Sequence, residues 1–251
     1  MSKKDYYIVE KNINKILRGE PTNFLDPNIY KQVISKLKGY NYNTYYPYKD
    51  SDKLIIYTKE TPDIKLLEII SYDKLTHREI LGSLFGLNID SELFGDIIIT
   101  NNHYYIMIMD SIYNLIIKEY NMVGNHHIKL KEVPLSILNN YTREYQEIEF
   151  IVSSLRIDNV ISRIIGTSRE TIKKKFYDDE IILNYEPCHK LDYNLNENDI
   201  FSIRKYGKYK FGGIIKNSKK GNYIIKCYKY TDNWKETTTN LYCFFYINLL
   251  L

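Results

Sequence analysis

Between residues 64 and 133 the spacing of apolar residues switches repeatedly between two periods, and this switching limits the fold more than any other feature of the chain. Residues 64–71 alternate as a strand does. Thr76 and Glu79 then form a capping-box pair, the hydroxyl positioned for the third helical amide and the carboxylate for the cap's own amide. A helix follows to about residue 87, with Ile80, Leu81, Leu84 and Phe85 on one face. Residues 96–100 and 103–109 read as strands joined by an Asn101-Asn102 turn. Asp110 is placed to cap a helix to about Tyr120, Gly124 ends that region, and residues 126–133 read as a last strand.

The order is β-α-β-β-α-β, which predicts the split ferredoxin-like fold also used by RRM modules. It lacks the basic-glycine-aromatic run that marks RNA-stacking RRMs. Tyr104 and Tyr105 sit on a central strand, where alternation turns one of them inward, so both are expected to be mainly structural.

The flanking segments read as separate modules. Residues 1–63 give two helices and a strand pair: residues 5–17 carry a helical stripe (Tyr6, Val9, Ile13, Ile16, Leu17), and Asp26-Pro27 opens a helix to about residue 38. Residues 40–48 and 54–58 look like short strands. From about residue 148 a third module begins, two helices and a small sheet, running to residue 228. The first helix is read over 156–165 and the second over 169–177. Arg156 and Arg163, seven apart, are expected on one flank, and Arg169 and Lys173 four apart beside the second buried stripe. The whole is α+β: modules 1–63, 64–147 and 148–228, then a tail, 229–251, of no assigned role. The run 241–251 is apolar but too short to span a bilayer.

Total charge is only +4, but its distribution is uneven. Residues 1–147 sum to −1, residues 148–228 to +5 and residues 229–251 to 0. From Arg204 to Lys220 there are seven basic residues and no acidic one. A concentrated basic face attracts a polyanion; a solvated lysine-rich hairpin would read the same way. The chain has no alanine and 26 tyrosines, a bias that makes raw Tyr and Lys counts weak evidence.

Four stretches of the third module carry a resemblance: Ser154-Leu155-Arg156-Ile157-Asp158, Thr167-Ser168-Arg169, Glu180-Ile181-Ile182-Leu183-Asn184 and Asn198-Asp199-Ile200-Phe201-Ser202-Ile203. Together they resemble the S4-type, or αL, RNA-binding domain. Asp179, Tyr185 and Asn198 stand where that domain often has glycine, and Lys175 where it is usually apolar. Further runs extend the likeness to the YlmH family: Phe24-Leu25-Asp26-Pro27, residues 75–84, Gly95-Asp96-Ile97-Ile98, Val123-Gly124, Glu132-Val133-Pro134-Leu135 and residues 204–210. The resemblance implies a bacterial, cytoplasmic, non-enzymatic RNA-binding protein. Its partners would be the large ribosomal subunit, through rRNA, and peptidyl-tRNA on a stalled subunit, as for ribosome-associated quality-control factors. A monomer is expected, with no membrane partner.

The candidate RNA contacts are Arg156 and Arg169 on the helices, Lys173 and Lys174 beside them, and Arg204, Lys205, Lys208 and Lys210 in the basic hairpin. Recognition is expected to be by backbone and shape. No cofactor or metal is expected. His126-His127, Cys188-His189 and Cys227 lack metal-ligand spacing, Ser168, His77 and Asp96 fall in different modules, and no phosphate-binding glycine loop occurs. The competing classes are a protein-interaction scaffold, linked by the family name to cell division, and an accessory of an RNA-modifying enzyme.

Overall fold

The computed structural model describes residues 3–100, 103–218 and 221–231. Contacts divide the chain into two units, Met1–Thr142 and Arg143–Leu251, and the class is α+β in both. The apolar run 241–251 and Cys243, the Asn101-Asn102 turn, Lys219 and Lys220 lie outside the described residues.

The first unit opens with helix α1 (Lys3–Leu17), which buries Val9, Asn12 and Ile16, and helix α2 (Pro27–Lys36). Asp26 caps α2 by accepting from the amides of Asn28 and Ile29, both at 2.9 Å. The pair β1 (Asn43–Tyr45) and β2 (Ile55–Tyr57) follows. Leu25, Ile29, Val33, Leu54 and Ile56 close a small core beneath the two helices.

The rest of the unit is built on β3 (Ile64–Ile70), α3 (His77–Gly86), β4 (Phe94–Thr100), β5 (His103–Met109), α4 (Tyr113–Glu119), the ribbon β6 (Met122–Val123) with β7 (His126–His127), and β8 (Lys129–Val133). The capping box at α3 has both arms: the Glu79 amide donates to Thr76 Oγ1, and the Thr76 amide to Glu79 Oε2. The four-stranded sheet is antiparallel, in the order β4-β5-β3-β8. Strand β5 thus lies between β3 and β4 and splits the β3-α3-β4 connection.

Strand alternation divides the apolar side chains between two cores. Leu67, Ile69, Ile106 and Ile108 face Ile80 and Leu84 of α3 and Ile116 of α4. On the other face Ile64, Leu66, Met107 and Met109 pack with Phe24, Tyr48, Ile55 and Leu138. Gly95 makes this second core possible, because a Cβ there would come within 2.9 Å of the Phe24 ring. Segments from before and after the sheet therefore cover part of the face opposite the helices.

Two local expectations give way. Residues 110–112 form a 3-10 turn, so Ile112 rather than Asp110 precedes α4, and Asp110 lies 3.8 Å from Lys65 Nζ. The run 126–133 is broken at Ile128, whose amide donates to the Asn121 carbonyl; only β8 joins the main sheet. A periodicity of two cannot distinguish one strand from two that share a buried residue.

The second unit comprises β9 (Tyr145–Val152), α5 (Ile157–Ile165), α6 (Arg169–Tyr177), β10 (Ile181–Leu183), β11 (Glu186–Pro187), β12 (Ile200–Ile203), β13 (Gly207–Asn217) and β14 (Tyr223–Tyr230). They form one six-stranded sheet, order β11-β10-β12-β13-β14-β9, with the two helices over one face. Strand β9 pairs with β14 over eight positions, so the sheet takes in residues ahead of 148. Helix α5 ends on Gly166 in the left-handed conformation (φ 64°), and the Ser168 hydroxyl caps α6 by accepting from the Thr171 amide. Val160, Ile161, Ile172 and Phe176 pack on Phe201, Phe211 and Ile225.

The turns of this sheet bear the family pattern's polar residues. Asn184 donates to Asp199 Oδ1 at 2.8 Å and accepts from the Ile200 amide, while Asp199 Oδ2 accepts from the Asn196 amide. The three positions where glycine is usual in the resembling domain all have positive φ: Asp179 at 52°, Tyr185 at 72° and Asn198 at 74°. Such a conformation costs an L-residue about 1–2 kcal/mol, less for Asn and Asp. Asp179→Gly should therefore raise the denaturant midpoint of this unit, by about 0.5–1 kcal/mol of stability; an unchanged or lower midpoint would show that strain at the turn is already relieved.

Candidate nucleic-acid interface

Helices α5 and α6 meet at a tight corner, and the corner brings basic side chains together. Arg156, Asp158, Ser168, Arg169, Glu170 and Lys173 line one open cleft. Arg156 is not in α5 but immediately before it, in an extended conformation (φ −58°, ψ 136°) that throws its side chain across the helix start. Its guanidinium grips Asp158 at two points, Nε to Oδ1 at 3.1 Å and Nη2 to Oδ2 at 2.7 Å. Asp158 is buried, with 6% of its side chain exposed, whereas Arg156 keeps 44%. Hydrogen bonding to Asp158 pushes the Arg156 pKa above its already high value, so the group stays cationic. The bond fixes one edge of the planar fork and leaves the rest toward solvent.

Arg169 enters from the start of α6. Its Nη2 donates to Asn159 Oδ1 at 3.2 Å, and Asn159 in turn donates to the Ser154 carbonyl. Lys173, one turn along α6, lines the same cleft. Lys174, the next residue, is exposed about 100° further round the helix and does not line it.

The expected pairing of Arg156 with Arg163 does not occur. Helical spacing does not apply to Arg156, which precedes the helix. Arg163 lines a different concavity with Ser153, Ser162, Thr167 and Asn222.

The hairpin residues fall in two further places. Arg204 Nη1 lies 3.9 Å from Glu180, a carboxylate that also accepts from Lys175 at 2.6 Å. Lys175 thus fills its usually apolar position as a paired charge, with Nζ over the Tyr206 ring at 5.5 Å. Lys205 is exposed at the turn. Lys208 and Lys210 flank Tyr209, whose side chain enters the core under the helices, so alternation puts both lysines on the opposite sheet face. There Lys208 Nζ stands 4.8 Å from the Tyr185 ring and 4.6 Å from the Tyr230 ring. Of the eight residues expected to touch RNA, three share the cleft.

Cys188 and Cys227 pack as small apolar groups. Cys227 is fully buried, and burial pushes its thiol up to about 12, which keeps it protonated at neutral pH; burial raises Cys188 as well.

Residues 59–137 match the family model described as "Putative RNA-binding domain in YlmH". The chain is 24% identical over 219 residues to "Ribosome-associated protein quality control protein P2" of Bacillus subtilis (strain 168), an alignment covering 81% of this chain and 84% of that one. A solved structure, "Cell division protein ylmH from Streptococcus pneumoniae", matches with TM-score 0.46 and 21% identity, over 56% of this chain and 97% of that one. The split sheet of the first unit thus carries a domain of RNA-binding type. Residues 59–137 are similar to the RNA-binding domain of the YlmH family.

Proposed function

We propose that the protein holds structured RNA of the large ribosomal subunit through the α5–α6 cleft and makes or breaks no covalent bond. The observation that carries this reading is the convergence of Arg156, just before α5, with Arg169 and Lys173 of the capped first turns of α6, Arg156 being held by a buried carboxylate. Guanidinium forks presented on rigid elements suit phosphate oxygens. The second unit is, in this reading, an S4-type RNA-binding domain. Its Asn184–Asp199 tie and its three left-handed turn positions agree with that pattern. The B. subtilis relative, named for ribosome-associated quality control, supports a ribosomal partner; in this reading the targets are rRNA and tRNA of stalled large subunits, and the protein acts as a cytoplasmic monomer. Lys174, Arg204, Lys205, Lys208 and Lys210 would add longer-range attraction.

The test is co-sedimentation of the tagged chain with large subunits, with and without ribonuclease. Association that ribonuclease abolishes is expected. Association that survives complete RNA digestion would replace RNA with a protein surface as the partner.

A further inference from the structure

The cover over the first unit's sheet is incomplete. The face opposite the helices is packed under Phe24, Tyr48, Ile55 and Leu138 at the end holding Ile64, Leu66, Met107 and Met109. At the other end, residues that register and alternation put on this same face are open. His103 keeps 58% of its side chain exposed and Ile70 is 47% exposed. Lys129 and Lys131, register partners of Ile70 and Glu68, are exposed too.

Within that open end two aromatic rings are aligned. His103 and Tyr105, two apart on β5, have ring planes only 7° apart and centroids 6.2 Å apart. The alignment is held from both sides. His103 Nδ1 lies 2.9 Å from Glu68 Oε1 on β3, and Tyr105 packs at the edge of the covered core. Tyr104 differs: its side chain is buried on the helix side, and its hydroxyl accepts from the Leu75 amide at 3.0 Å. The Tyr104 side chain is thus wholly taken up by the fold, while the Tyr105 ring is half-buried.

A parallel, oriented aromatic pair, on a face that also carries two exposed lysines and an exposed isoleucine, has the components of a base-stacking platform. Unpaired bases stack on aromatic faces whatever their sequence, and adjacent cations hold the phosphates. A folded duplex offers no free base face, so this patch and the α5–α6 cleft suit different forms of RNA. We infer that His103 and Tyr105, with Lys129 and Lys131, form a second RNA site, one that takes one or two unpaired nucleotides. The inference rests on the reading of the protein as an RNA binder and adds a single-stranded target to it.

The experiment measures binding of the full chain to an unstructured oligouridine and to a structured large-subunit RNA fragment in parallel. His103→Ala with Tyr105→Leu should weaken oligouridine binding at least about tenfold, because stacking contributes about 1–3 kcal/mol per base. Binding of the structured fragment should change little. Leucine keeps Tyr105's place in the core filled, and Tyr105→Phe, which retains the ring, should restore binding. Crosslinking with 5-iodouridine should mark the peptide carrying His103 and Tyr105. Equal oligouridine binding by wild type and the double variant would overturn the second site and leave the cleft untouched. So would wild-type binding of the structured fragment alone. Failure of wild type to bind either RNA would overturn both readings.

Discussion

Replacing Arg156 and Arg169 together with alanine should lower affinity for structured RNA by about two to four orders of magnitude and flatten its salt dependence. Each guanidinium that meets a phosphate is a charge-assisted bond, worth about 1.5–3 kcal/mol. Each also releases about one counterion, so the slope of log K against log salt should fall by about 1 per residue. Arg163→Ala is the internal control: it removes the same charge from the same helix pair but from the other concavity, and its effect should be small. Arg156→Lys separates charge from geometry. A lysine keeps the cation but cannot grip Asp158 at two points, so the salt slope should hold while affinity drops. Because Asp158 would lose its partner in the alanine variant, unfolding curves must accompany the binding data. Unchanged RNA binding in a folded double variant would remove the cleft from the function.

The largest expected effect on stability lies at Asn12, far along the chain from any basic cluster. Asn12 is fully buried in α1. Its amide donates to Glu92 Oε2 at 3.1 Å and to the Ile8 carbonyl, and its Oδ1 accepts from the Asn23 amide. Glu92 is itself buried and accepts from Lys11 Nζ at 2.5 Å. For Lys11, partial burial lowers the pKa, but the Glu92 bond and charge outweigh it and the net shift is upward. Asn12→Ala would strand the Asn23 amide and half of a buried carboxylate. A cost of about 2–4 kcal/mol to the first unit is expected, seen as a separate, earlier transition in denaturant while the second unit unfolds as before. A loss under about 0.5 kcal/mol would mean that water replaces the side chain and that the network does not hold α1 in place.

The two cases show where a sequence is readable and where it is not. Local signals are legible: Asp26-Pro27 and the Thr76–Glu79 box each act within four residues of themselves, and each stands at the helix end it indicates. The Asn12–Glu92 pair is separated by 80 residues, and no spacing rule connects a helical Asn to a distant turn Glu. The same limit applies to the site. Arg169 and Lys173 share a helix and their convergence could be read from a spacing of four. Arg156 lies outside its helix, so its assignment to Arg163's flank failed. Lys208 and Lys210 belong by charge to the basic hairpin, and the alternation that buries Tyr209 puts them on the sheet face away from the cleft. In strand β9, Gln146, Glu147 and Glu149 interrupt the apolar run, and its pairing with β14 is what makes it a strand. The His103–Tyr105 alignment depends on Glu68 of another strand and carries no linear signature.

The seat of Phe24 on Gly95 has a practical corollary. The stretch that sequence families recognise, residues 59–137, excludes the Phe24, Tyr48 and Ile55 side chains that shield one side of its sheet. Excised at those limits, it would present Met107, Met109 and Leu66 to water as one sticky surface and would tend to self-associate. The recognisable segment and the segment able to fold by itself are therefore different lengths of chain.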